Sequence, residues 1–148
     1  MRGLRKKAVV LATVSALAMS SLAGCSGDYT LDNNKVAVMV GDSEITLGAL
    51  NFYLRYDQAN IEAAYAQSLG ESFWKTEISE GYTFEETEKE STISAMTQMY
   101  ILEDHMSEYD VTLTEEELAK IEKAATDFVA ENTEEASKLV SGDVVIIK

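Results

Sequence analysis

Apolar positions recur along the chain in two rhythms. From residue 35 the run KVAVMV is compact and apolar and ends at Gly41-Asp42, after which SEIT resumes the strand-like pattern. Two short runs joined by a Gly-Asp pair predict a β-hairpin with a type II′ turn, in which glycine supplies the positive φ of the first turn position. The spacing then becomes helical. Leu47, Leu50, Leu54, Ile61, Ala64, Tyr65 and Leu69 share one face, with Thr46 as cap and Gly70 as stop. A second stripe of Ile93, Met96, Met99, Tyr100, Leu102, Met106 and Tyr109 follows TFEE at 83–86. That tetrad is a capping box, whose threonine and glutamate satisfy each other's orphan amides. The same device, TEEE at 114–117, opens a third stripe of Leu118, Ile121, Ala125, Phe128 and Val129. Thr133 caps a shorter fourth helix through Leu139 and Val140, closed by Gly142. The predicted fold class is mainly α: about four helices with a small N-terminal β-hairpin, in one domain over residues 35–142. Proline is absent, so helix interiors lack their strongest breaker.

Upstream of this domain the pattern is different. Arg2, Arg5, Lys6 and Lys7 form a basic n-region, and AVVLATVSALAM at 8–19 is an uncharged apolar run followed by small residues. This is the layout of an export signal, and the run falls short of the about 20 residues a spanning helix needs. The sole cysteine sits in SSLAGCSG at 20–27. Leu22, Ala23, Gly24 and Cys25 resemble the lipobox of bacterial lipoproteins. That resemblance implies a lipoprotein signal peptide over 1–24, with Cys25 diacylated and becoming the new N-terminus after cleavage. Two acyl chains give stable anchoring, since each buried methylene contributes about 0.8 kcal/mol. The alternative is an ordinary secretory signal cut nearby, leaving Cys25 a free thiol. SGDYTLDNN reads as a short polar tether, so residues 25–34 link lipid to domain. The expected location is the extracytoplasmic face of the cell membrane.

Removal of the signal sharpens the charge. Four of the 12 basic residues and none of the 26 acidic ones precede Cys25, so 8 face 26 in the mature chain, a net charge of −18. Such a field repels phosphate backbones, so nucleic acid is a poor partner and basic or unfolded cationic chains are better ones. The final residues, DVVIIK at 143–148, form an apolar tail. The tail either adds to the edge of the 36–40 strand or marks a truncation point.

VAVMVGDSEIT, LGALNFYLRYDQA and MTQMYILEDHMSEYDVTLTEEELAKI, in that order, resemble the N-terminal chaperone region of the PrsA/SurA group over residues 35–132. Members are exported peptidyl-prolyl isomerases and foldases, many of them lipid-anchored outside the membrane. The resemblance implies a holdase or foldase module whose partners are unfolded or nascent exported proteins. In the group this region is followed by a parvulin domain built around histidines, a Cys or Asp and apolar pocket residues. Only His105 is available among the 148 residues, so no catalytic residue of the group carries over to any position. One alternative is the N-terminal part of a peptidyl-prolyl isomerase whose catalytic domain lies beyond Lys148. Another is a solute-binding or scaffold lipoprotein.

Candidate chemistry is sparse. His105 lies among Glu103, Asp104 and Glu108 without a second strong ligand, so neither a metal site nor a cofactor is expected. Asp28, Asp32, Asn33 and Asn34 lack the spacing of a calcium loop. No phosphate-cradling glycine loop or nucleophile elbow occurs, and no small-molecule substrate is evident. The glutamates at 85, 86, 88, 90 and 115–117 complement helix dipoles or form an acidic surface for cationic segments. The candidate client-binding residues are Phe73, Trp74, Tyr82, Phe84, Met96, Met99 and Met106. Their alternative role is core packing, because methionine and aromatic side chains serve cores and adaptable surfaces alike.

Overall fold

The computed structural model describes residues 12–14, 31–65 and 72–142. Cys25 and its lipobox, Leu69, Gly70 and the 143–148 tail lie outside the described residues. The elements run β1 (Ala12–Val14), β2 (Val36–Val40), β3 (Ser43–Thr46), α1 (Leu47–Tyr65), β4 (Glu77–Ser79), β5 (Tyr82–Thr83), α2 (Phe84–His105), α3 (Glu115–Glu131) and α4 (Glu134–Leu139). Short 3₁₀ turns at Phe73–Lys75 and Met106–Tyr109 precede β4 and follow α2. The fold is mainly helical, with an antiparallel sheet in the order β1-β2-β3 and a separate β4–β5 pair.

The β2–β3 hairpin turns at Gly41 with φ 61, while Asp42 keeps a negative φ, as a type II′ turn requires. The pairing shifts register between Val36 and Val38. This bulge at Ala37 breaks the two-residue alternation, and Ala37 and Val38 are both buried. In the uncleaved chain the backbone of Ala12–Val14 pairs with the other edge of β2, Ala12 opposite Val40 and Val14 opposite Val38; these residues fall within the expected 1–24 signal, whose removal would leave that edge of β2 without this strand.

The polar stretch expected as tether through Asn34 is folded from Leu31 onward. Leu31 packs against the main core, and Lys35 N–H closes a turn on the Asp32 carbonyl. The Asn33 and Lys35 carbonyls accept from Gly48 and Leu47, satisfying first-turn amides of α1 that have no partner within the helix. Thr46 Oγ1 accepts from Ala49 N–H at 3.2 Å, the cap expected from its position.

The main core gathers Ala37, Val38, Val40, Ile45, Leu47, Leu50 and Met96, with Ile93, Tyr100 and Ile101 against it. A second cluster joins Leu54 and Trp74 to Ile61, Phe73 and Phe84. Advancing along α1 from Leu50 to Leu54 therefore means retreating along α2 from Met96 to Phe84, so the two helices run antiparallel. Both capping boxes form: Glu86 N–H donates to Thr83 Oγ1 and Glu117 N–H to Thr114 Oγ1, with the glutamate carboxylates accepting from the threonine N–H groups.

α3 departs from its expected role. Of its apolar stripe only Ala125 is fully buried. Phe128 meets Phe52 of α1 edge-on at 5.4 Å, whereas Leu118 at the other end is 51% exposed. α4 is capped by Thr133, whose Oγ1 accepts from Ala136 N–H. Its closing residue is Ser141 rather than Gly142. Ser141 takes φ 53, and the Gly142 and Ser141 amides donate back to the Ser137 and Lys138 carbonyls. That is a Schellman ending with serine in the left-handed position. Gly142 is needed for space instead, since a Cβ there would lie 3.0 Å from the Phe128 ring.

Candidate client-binding surface

The seven expected contact residues divide sharply. Phe73, Trp74 and Phe84 stack on one another, with ring centroids 4.3–5.5 Å apart, and Trp74 keeps only 7% of its surface. The indole is held from its polar side as well. Trp74 Nε1–H donates to Glu62 Oε1 at 2.9 Å, and that oxygen also accepts from Gln58, whose own carbonyl accepts from Arg55. Burial draws the Arg55 guanidinium down from its ordinary range, with Glu62 and Glu85 opposing that shift. A tryptophan satisfied on both faces closes the α1–α2 end and is no open anchor. Met96 is fully buried in the main core. Trp74 and Met96 therefore pack the fold, the alternative role that the sequence offered for them, and little of either side chain is open to a client. Phe73, Phe84 and Met106 are half-buried, and only Tyr82 and Met99 are exposed.

Five exposed large apolar side chains fall close together in sequence at the corner where α2 gives way to α3, and others, such as Tyr56, Ile78 and Leu139, are exposed elsewhere. Leu102, Tyr109, Val111, Leu113 and Leu118 are 69%, 75%, 52%, 49% and 51% exposed. Backbone devices fix this corner. Asp110 takes φ 53, a conformation its short polar side chain tolerates, and Val111 N–H donates to the Met106 carbonyl at 3.0 Å. The Thr114 capping box then starts α3, placing Leu113 and Leu118 at the two positions of a hydrophobic staple. Even so, each leaves half its surface in water.

Carboxylates flank these side chains along the sequence. From 101 to 119 the chain carries Glu103, Asp104, Glu108, Asp110, Glu115, Glu116 and Glu117 and no lysine or arginine. All seven are exposed. Asp104 accepts from Ser43 Oγ at 2.8 Å, tying the end of α2 to the β2–β3 turn, and Glu108 meets His105 Nδ1 at 2.8 Å. His105 is thus engaged by a helix-end carboxylate, and no group of three or more metal-ligating side chains occurs among the described residues. Glu117 is held below the usual carboxylate range by the Thr114 backbone and side-chain hydrogen bonds.

The sequence offers these methionine and aromatic positions both a packing and a contact role, and Trp74 and Met96 take the packing one. Leu102, Tyr109 and Leu118 keep the helical spacing of the apolar stripes, yet all three are exposed. The left-handed Asp110 and the Thr114 cap separate α2 and its 3₁₀ turn from α3, and residues 115–120 of α3 are exposed. Among the described residues no helix is long and apolar enough to cross a membrane. Comparison of the chain with family models, with curated proteins and with solved structures gives no match in any of the three.

Proposed function

We propose that this chain is a lipid-anchored chaperone module that holds unfolded exported polypeptides at the extracytoplasmic face of the cell membrane. The observation that carries the proposal is the α2–α3 corner, where five large apolar side chains stand in water on backbone joined by cap and turn hydrogen bonds. Large apolar side chains left exposed within one short acidic stretch of chain are candidates for an interaction site. A holder of varied chains needs contacts that are shape-tolerant and individually weak, so that clients are released. Exposed leucine and tyrosine side chains meet that need, because their apolar contacts are not specific to one ligand. The resemblance of residues 35–132 to the PrsA/SurA chaperone region and the lipobox at Cys25 support the same reading.

The test is suppression of aggregation. The full chain should keep a reduced, unfolded protein soluble at near-stoichiometric ratio, and Leu102→Ser/Leu118→Ser should lose that capacity while melting at an unchanged temperature. Retained suppression by the folded double variant would remove the corner from the mechanism. A full chain that fails to suppress aggregation but gains thermal stability from one small solute would point to a solute-binding lipoprotein instead.

A further inference from the structure

We infer that the occupant of the α2–α3 corner is a cationic apolar polypeptide segment, in which lysine or arginine flanks leucine-like or aromatic side chains. The inference rests on the chaperone reading and adds the chemistry of the client. Two features of the corner carry it together. The first is the open apolar surface of Leu102, Tyr109, Val111, Leu113 and Leu118, which supplies contact area. The second is the uniform sign of the Asp, Glu, Lys and Arg charges that neighbour it in sequence. Seven exposed carboxylates and no lysine or arginine accompany those side chains between 101 and 119, and the next cation, Lys120, already pairs with Glu116 at 2.7 Å.

Charge sign decides among the occupants that an apolar patch admits. A second copy would bring the same acidic rim against this one, so self-association through the corner is opposed by repulsion. An anionic membrane surface is repelled for the same reason, which keeps a membrane-tethered module from lying down on its own bilayer. An acidic client segment meets the same barrier. A segment with lysine or arginine within a Debye length of the rim, about 8 Å at physiological salt, is attracted. The carboxylates stay hydrated, so each attraction is small and governs selection and encounter, while the apolar contacts retain the chain. Exposed leucines thereby persist without general stickiness, because the rim admits one class of partner and deters the others.

The experiment compares three peptides that share a Leu/Phe centre and differ only in their flanks, which are lysine, serine or glutamate. Binding to the full chain in neutral detergent is read by fluorescence anisotropy at low and high salt. The expected order is lysine, serine, glutamate, with about a tenfold spread in Kd at low salt that contracts when the charges are screened. Glu103→Gln/Asp110→Asn/Glu115→Gln, which spares both capping boxes, should narrow the spread, whereas Leu102→Ser/Leu118→Ser should weaken all three peptides. Equal affinities overturn the inference and leave the chaperone reading standing. A spread unchanged in the carboxylate variant also overturns it, since the selection would then reside elsewhere. Absence of binding by every peptide overturns it too, and takes the chaperone reading with it if an unfolded protein also aggregates unhindered.

Discussion

Ser141 Oγ donates a hydrogen bond of 2.8 Å to Asn33 Oδ1, joining the end of α4 to the turn that precedes β2. The same hydroxyl accepts from Asn51 Nδ2 at 2.9 Å, and that amide also reaches the Leu139 carbonyl at 3.1 Å. Three short polar side chains thus close the domain across a separation of 108 residues. Asn51→Ala removes the donor to both oxygens and is expected to lower stability by about 1–3 kcal/mol, measured by urea denaturation. Ser141→Gly relieves the left-handed strain but loses the hydroxyl, and should also destabilise.

The two capping boxes should answer differently to the same change. Thr83→Ala and Thr114→Ala each remove a cap worth about 1 kcal/mol. α2 carries Met96 into the main core, so loss of its cap should lower the global unfolding free energy. The first turns of α3 are exposed, so loss of the Thr114 cap should show as faster amide exchange at 115–120 with a nearly unchanged melt.

Asp57 and Glu88 work against the fold near neutral pH. Burial raises both carboxyls above their ordinary range, and the Asp57 charge raises Glu88 further. A raised folded value means that the native state binds protons more tightly than the unfolded chain. The cost is therefore present at neutral pH and disappears as the pH falls through the raised values. Asp57→Asn should raise the melting temperature near neutrality and leave it unchanged in acid below the ordinary carboxylate range. Glu86 and Glu117 have the opposite sign. Hydrogen bonds from Thr83 and Thr114 lower them, so their contribution is present above the ordinary value and lost as the pH falls through the lowered one.

What the residues revealed in advance was local chemistry. The Gly41-Asp42 turn and the caps at Thr46, Thr83, Thr114 and Thr133 depend on neighbours within four positions, and each forms as its spacing predicts. Features decided by packing were not legible. Whether Trp74 stands open depends on Glu62, twelve residues earlier, and on Phe84 arriving from α2. The α3 stripe has the periodicity of a buried face, yet spacing cannot say whether another element arrives to cover it. Ser141 escaped notice because Gly142 beside it is the better left-handed residue, while the Phe128 ring claims that glycine for space. The β4–β5 pair passed unread although Gly81, at φ 82, marks its turn.

The proposed lipid anchoring rests on the single sulfur. Cells grown with radiolabelled palmitate should incorporate label into the chain, and Cys25→Ser should abolish the label and release the protein from the membrane fraction. A Cys25→Ser protein that stays membrane-bound would mean that attachment does not depend on this thiol.

Photo-crosslinking asks most directly whether unfolded polypeptide occupies the α2–α3 corner. A benzophenone side chain in place of Leu118 should form an abundant adduct with a reduced, unfolded client, and the same group in place of the exposed Lys123, on the opposite face of α3, should form little. Equal yields at the two positions, or no adduct at 118 while the client is still held in solution, would contradict the assignment of this corner as the surface that holds it.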